Sequence, residues 1–132
     1  MIFGQINISK MSAQSEVALQ NFICQQGISL MAIPETGNWI PTDEFFVDKK
    51  VIHKTDTNLA GVAIVADKVL CPEHVDTIED ESLDAVWCQL HLNNQKVLVG
   101  SVYSRPTKDT DGLKKLLDQM FKCIVSKIRL IP

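Results

Sequence analysis

Asn7, Glu35 and Tyr103 each stand at the end of an otherwise apolar run, and their side chains are of types that do chemistry together. Glu35 follows Ile28-Ser29-Leu30-Met31-Ala32-Ile33, a mostly apolar run ended by Pro34 that reads as a strand buried on both faces. Ligands collect at the carboxyl ends of strands in open α/β structures, so this carboxylate is a candidate for metal or substrate chemistry. A solvated loop glutamate is the plainer alternative. Asn7 supplies a neutral donor and acceptor, and Tyr103 a hydroxyl at a sheet edge, where a purely structural aromatic cap is the competing reading.

The elements that must position these residues follow from periodicity and turn chemistry. Ile2 to Ile8 alternates loosely and reads as a first strand ending on Asn7. Ser9, Ser12 and Ser15 offer N-caps, and Val17, Ala18, Leu19, Phe22 and Ile23 place an apolar stripe on a helix from about Ser12 to Gln26, stopped by Gly27. Strand, helix and the strand from Ile28 to Ile33 form a βαβ-like unit whose crossover lets the two strands run parallel, which puts Asn7 and Glu35 at one edge of one sheet. Short strands are expected at Phe45 to Val47 and Val51 to His53, with a turn at Asp48-Lys49-Lys50. Gly61 to Ala66 is a buried strand, followed by weaker β segments near Val69 to Cys71 and Val75 to Ile78 and an acidic turn at Glu79-Asp80-Glu81. Asp84 to Leu92 and Lys96 to Tyr103 flank Asn93-Asn94-Gln95 as a hairpin, with Val97, Val99, Ser101 and Tyr103 on one face. Leu113, Leu116, Leu117, Met120, Phe121 and Ile124 keep helical spacing, and Ile128 begins another β-prone run.

The 132 residues allow one domain or part of one, and 45% hydrophobic with 22% charged residues describes a folded chain. A net charge of −3 gives no support to nucleic-acid binding through the overall field, although a local basic patch remains compatible with it. Cys24, Cys71, Cys88 and Cys123 are widely spaced in apolar segments, which favours buried free thiols in a reducing compartment over zinc ligands. The first eight residues are too short and polar for a signal peptide, and no run approaches membrane length, so an intracellular protein, nuclear or cytoplasmic, is expected.

Together these stretches resemble the first half of the endonuclease/exonuclease/phosphatase superfamily, the fold of exonuclease III-like apurinic endonucleases, and above all the endonuclease domain of non-LTR retrotransposons. Gln5-Ile6-Asn7-Ile8 is similar to the family's first-strand asparagine motif, Ile33-Pro34-Glu35-Thr36 to its Gln-Glu-Thr, and Ser101-Val102-Tyr103-Ser104-Arg105-Pro106 to its Val-Tyr-Arg-Pro; Leu59-Ala60-Gly61-Val62-Ala63-Ile64 resembles its Gly-Gly-Val-Ala-Ile strand. The resemblance implies an α/β (α+β) fold, a mixed β-sheet sandwich flanked by helices of the DNase I-like kind. It implies a Mg²⁺-dependent hydrolase, possible also with Mn²⁺, that cleaves phosphodiester bonds in DNA. Glu35 would then be the metal ligand, with Asn7 and Tyr103 catalytic.

The physical chemistry of phosphodiester hydrolysis suits these residues. A hard cation offsets charge on the phosphate, and Mg²⁺ takes one or two carboxylates with waters and substrate oxygens. Asn7 would orient a ligand or phosphate oxygen, and the Tyr103 hydroxyl would donate to the phosphate as its charge grows.

The departures are specific. Ser9 stands where the family often has aspartate, and Pro34 where it has glutamine. The Gly-Asp-x-Asn and Ser-Asp-His motifs lie downstream of the stretch matched here, and His53, His74 and His91 match no family position. The chain is therefore read as a partial domain, residues 1–132, that continues or is truncated after Pro132, with the missing C-terminal half or a reverse transcriptase domain as expected partners. As half of a two-layer core it should leave Val97, Val99 and the strand from Gly61 to Val65 incompletely covered. Two readings follow: an endonuclease domain inactive as this fragment, or a non-catalytic remnant or interaction module that keeps the fold. An unrelated nucleotide-binding domain is weak, because neither G-x-G-x-x-G nor a P-loop is present.

Overall fold

A computed structural model of the chain describes residues 1–41, 48–55, 60–76, 79 and 83–103. The expected strand at Phe45 to Val47, the helix from Leu113 to Ile124, the run from Ile128 and most of the acidic turn lie outside the described residues. The described elements are β1 (Ile2–Gln5), α1 (Ala13–Gln26), β2 (Ile28–Pro34), β3 (Lys49–Lys54), β4 (Val62–Asp67), a 3₁₀ turn (Lys68–Leu70), β5 (Glu73–His74), β6 (Asp84–Leu92) and β7 (Gln95–Tyr103). They form a mixed four-stranded sheet in the order β1-β2-β4-β3 and an antiparallel sheet in the order β5-β6-β7.

The βαβ unit is present, with β1 and β2 parallel. Its helix is bounded by the residues that the sequence marks. The Ser12 hydroxyl accepts the Ser15 N–H at 3.1 Å, and Gly27 takes a left-handed conformation (φ 62) that turns its N–H back onto the last carbonyls. The buried stripe is Glu16, Leu19 and Ile23; Val17 and Phe22 point outward at 51% and 45% exposure, correcting their place in the expected stripe. Ser12→Ala is expected to cost about 0.5–2 kcal/mol, read as a lower urea midpoint with an unchanged slope.

Two apolar layers hold the sandwich. On one face of the first sheet, Leu19 and Ile23 of α1 pack on Ile28, Met31, Ile33, Ala63 and Val65. The other face brings Leu30, Ile52, Ile64 and Ala66 against Val86, Cys88 and Leu90 of the second sheet. Strand β4 therefore alternates between two cores, which is why its sequence reads as an unbroken apolar run. Val62 to Ala66 are fully buried, against the expectation of exposure there, whereas Val97 and Val99 are half-buried. The large exposed apolar side chains include Ile2 and Phe3 on the edge strand β1, together with Ile40 and Val69.

Several local expectations change. The first strand stops at Gln5, although the Ile6 N–H still bonds the Ala32 carbonyl at 3.1 Å, so Asn7 lies beyond the strand. Lys49 and Lys50, expected in a turn, belong to β3, where the Lys49 ammonium meets Asp67 and the Ile28 carbonyl. The segment near Val69 is a 3₁₀ turn rather than a strand, because Cys71 takes a left-handed conformation and bonds back to Lys68. Cys24 and Cys71 are free and exposed, not buried; Cys88 is buried, and burial pushes its thiol up to about 11.

Candidate active site

Register places the strand ends that matter on one side of the sandwich. Pro34, the last residue of β2, pairs with Val62 at the start of antiparallel β4, and Asp84 at the start of β6 pairs with Tyr103 at the end of β7. A hydrogen bond joins the two sheets at this end, the Gly61 N–H donating to Asp84 Oδ1 at 3.3 Å. Asn7 and Glu35 thus come from the first sheet and Tyr103 from the second. The candidate site therefore lies at a seam between two sheets, because the hairpin of β6 and β7 pairs with β5 rather than with β1 to β4.

Glu35 is set by an irregularity in the ladder. Beyond the pair Pro34 and Val62, the Thr36 N–H bonds the Gly61 carbonyl at 3.1 Å and the Gly37 N–H bonds that of Ala60 at 2.7 Å. Glu35 is left as an extra residue in the manner of a β-bulge, with φ 57, a conformation that costs a non-glycine residue about 1–2 kcal/mol. Such bulges re-aim side chains, and here the result is a half-buried carboxylate lining a cleft.

The Asn7 amide is oriented from both ends. Its Oδ1 accepts the Ser9 N–H at 3.0 Å, closing an Asx-turn, and its Nδ2 donates to Glu35 Oε1 at 3.3 Å. A backbone N–H only donates and a carboxylate only accepts, so the two contacts admit one amide orientation. Beyond the turn, Ser9 and Lys10 have φ 56 and 135, and the Met11 N–H bonds the Thr36 carbonyl at 3.0 Å, fastening the loop to the end of β2.

These segments enclose a cleft of about 460 Å³, lined by Glu35 and Tyr103 with Lys10, Thr36, Gly37 and Ala60 among its walls. Lys10 and the wall glycine Gly37 are not candidates in the sequence reading; the one signal for them is the polar character of the two turns that carry them. His53 is half-buried in β3, where burial, and secondarily His74, hold its pKa below the usual value. His74 pairs with Glu79 at 2.8 Å, His91 is exposed, and none of the three histidines lines the cleft. Among the described residues no three His, Cys, Asp or Glu stand together as a metal cage.

No family model matches the sequence, and no curated protein matches it. Solved structures do. The endonuclease domain of TRAS1, a telomere-specific non-LTR retrotransposon, superposes with a TM-score of 0.63 over 89% of this chain and 51% of its own, at 19% identity. The fold is DNase I-like. A humanized D. rerio TDP2 carrying 14 mutations shares it, with a TM-score of 0.58 over 97% of this chain and 56% of its own, at 12% identity. The chain thus spans about half the length of each of these DNase I-like structures. The mixed sandwich with a helix on its outer face is the architecture that the sequence resemblance implied. Among the described residues, no helix is long and apolar enough to cross a membrane.

Proposed function

We propose that this chain carries the cleft of a metal-dependent phosphodiesterase of the endonuclease type, acting on DNA, in which Glu35 is the ligand for Mg²⁺ or Mn²⁺. The observation that supports it is the Asn7 to Glu35 hydrogen bond at a cleft shared with Tyr103. A single half-buried carboxylate, with one oxygen steadied by an amide, suits Mg²⁺, which is commonly held by one or two carboxylates and otherwise by waters and substrate oxygens. When bound, the cation offsets the negative charge of the phosphate. Asn7 keeps the Glu35 carboxylate in one orientation, and Tyr103 donates its hydroxyl proton in a hydrogen bond to a phosphate oxygen. The choice of DNA rests on likeness to the retrotransposon endonuclease domain.

By itself the chain is expected to hold the ion weakly and to show little or no turnover. Glu35 is the one carboxylate among the cleft residues named above, and no histidine there accepts a proton from the attacking water, a contribution of about 10²–10⁴-fold where it is present. A further segment supplying that base, or an attached reverse transcriptase domain, is the partner this reading implies.

Mn²⁺ titration followed by water-proton relaxation should show weak binding that Glu35→Gln reduces about tenfold or more. Supercoiled and abasic DNA should be nicked little in Mg²⁺ relative to EDTA. Equal Mn²⁺ binding by the variant would remove Glu35 from the metal site and favour an interaction module. Metal-dependent nicking that vanishes in Glu35→Ala would instead place a working base within this chain.

A further inference from the structure

We infer that Lys10 is a phosphate-contacting residue of the same cleft, gripping the nucleic-acid backbone beside the phosphate that faces Glu35; this rests on the phosphodiesterase reading. Lys10 is the cation among the described residues that line the cleft, and it is exposed. Its place is built rather than incidental. The Asx-turn at Asn7 and the bond from the Met11 N–H to Thr36 fix the loop on both sides of it, and its backbone is held at φ 135. The start of its side chain lies over Gly37, where an added Cβ would stand 3.4 Å from Lys10 Cγ and 3.6 Å from its Cβ. Gly37 itself has φ 67, a backbone conformation that favours glycine, and the lysine stem lies against it at van der Waals distance.

The charge arrangement then selects the ligand. Glu35 and Lys10 line one cleft, yet no ion pair joins them: the Glu35 carboxylate takes the Asn7 amide, and no carboxylate among the described residues pairs with Lys10. A ligand that brings both a cation, for the carboxylate, and an anion, for the ammonium, satisfies both groups. A phosphodiester with its divalent ion is such a ligand. The ammonium acts as a point charge with three donors, so it would take a backbone phosphate without reading bases.

Binding of a fluorescently labelled 12-base-pair duplex, measured by anisotropy in EDTA across about 10–200 mM salt, tests this without metal or turnover. Lys10→Gln keeps the stem and removes the charge. It should weaken binding roughly three- to tenfold at low salt and reduce the slope of log K against log salt by about 1, while Lys10→Arg restores both. Lys96→Gln, in β7 next to the hairpin turn at the far end of the sandwich, serves as the control and should leave the slope unchanged. Wild-type binding with equal slopes for Lys10→Gln and wild type would overturn the role of Lys10 and leave the phosphodiesterase reading standing. A wild-type chain that binds no duplex even at the lowest salt would overturn both.

Discussion

Gly61→Ala is expected to destabilise the protein by about 2–5 kcal/mol and to weaken the cleft with it. Gly61 has φ +80, and an added Cβ would stand 2.4 Å from the Gly37 carbonyl oxygen and 2.6 Å from Thr36 Oγ1. Two costs combine: left-handed strain on a residue with a side chain, and a clash that backbone, not a flexible side-chain tip, must absorb. The contacts at stake are those that seat the bulge. The Gly61 carbonyl accepts from Thr36, its N–H donates to Asp84, and the neighbouring Thr36, Gly37 and Ala60 wall the cleft. Urea unfolding followed through the buried Trp39 and Trp87 reads the stability, and Mn²⁺ titration reads the cleft. Gly27→Ala separates the two costs, because Gly27 has φ +62 with nothing within 4 Å of an added Cβ, so strain acts there alone. If Gly61→Ala costs no more than Gly27→Ala, the two segments do not approach as closely as described.

Ile64→Ala should cost about 2–5 kcal/mol, the range for removing a large buried aliphatic side chain whose surroundings relax only in part. Ile64 is fully buried at the centre of β4, on the face that meets Val86, Cys88 and Leu90 of the second sheet. The void would open between the two sheets, and both sheets supply the cleft. Tyr103, from the second sheet, packs against the same layer, so its position relative to Glu35 depends on that contact. Urea unfolding should show a lower midpoint at unchanged slope, and the Val97→Ala change, at a half-buried position, should cost markedly less. Comparable losses for the two would mean that the interface between the sheets is not the main core.

How much of this was legible in the chain alone divides by the range of the interaction. Helix α1 could be read because its determinants are local: the Ser12 cap, the Gly27 stop and the buried spacing of Leu19 and Ile23 act within a few residues. The same holds for β2 and β4, whose continuous apolar runs report burial on both faces, and for the hairpin of β6 and β7, whose turn composition and alternation fix its register. Asn7, Glu35 and Tyr103 stand out as candidates because each polar residue follows an apolar run, although Asn7 and Glu35 lie just beyond the strands that precede them. Local pattern also had limits. Phe22 fits the helical stripe yet faces outward, since which side of a helix is covered depends on the sheet beneath it. The incomplete cover expected for the strand from Gly61 to Val65 does not occur, because one face of β4 is covered by a second sheet that lies later in the chain.

The tertiary structure alone decided that the candidate site lies at a seam. Strand propensity does not say which strands share a sheet, so the assignment of Tyr103 to the second sheet, opposite Glu35, arises only from long-range pairing. The bulge at Glu35 and the turn that sets Lys10 have the same origin: their unusual φ values are imposed by bonds to Gly61, Ala60 and Thr36, partners distant in sequence. The sequence by itself determined which residue types stand at the strand ends, because hydrophobic periodicity and turn chemistry are local. That Glu35 and Tyr103 line one cleft was decided by sheet pairing, whose hydrogen bonds are made by a backbone common to every residue and so leave little trace in the side chains.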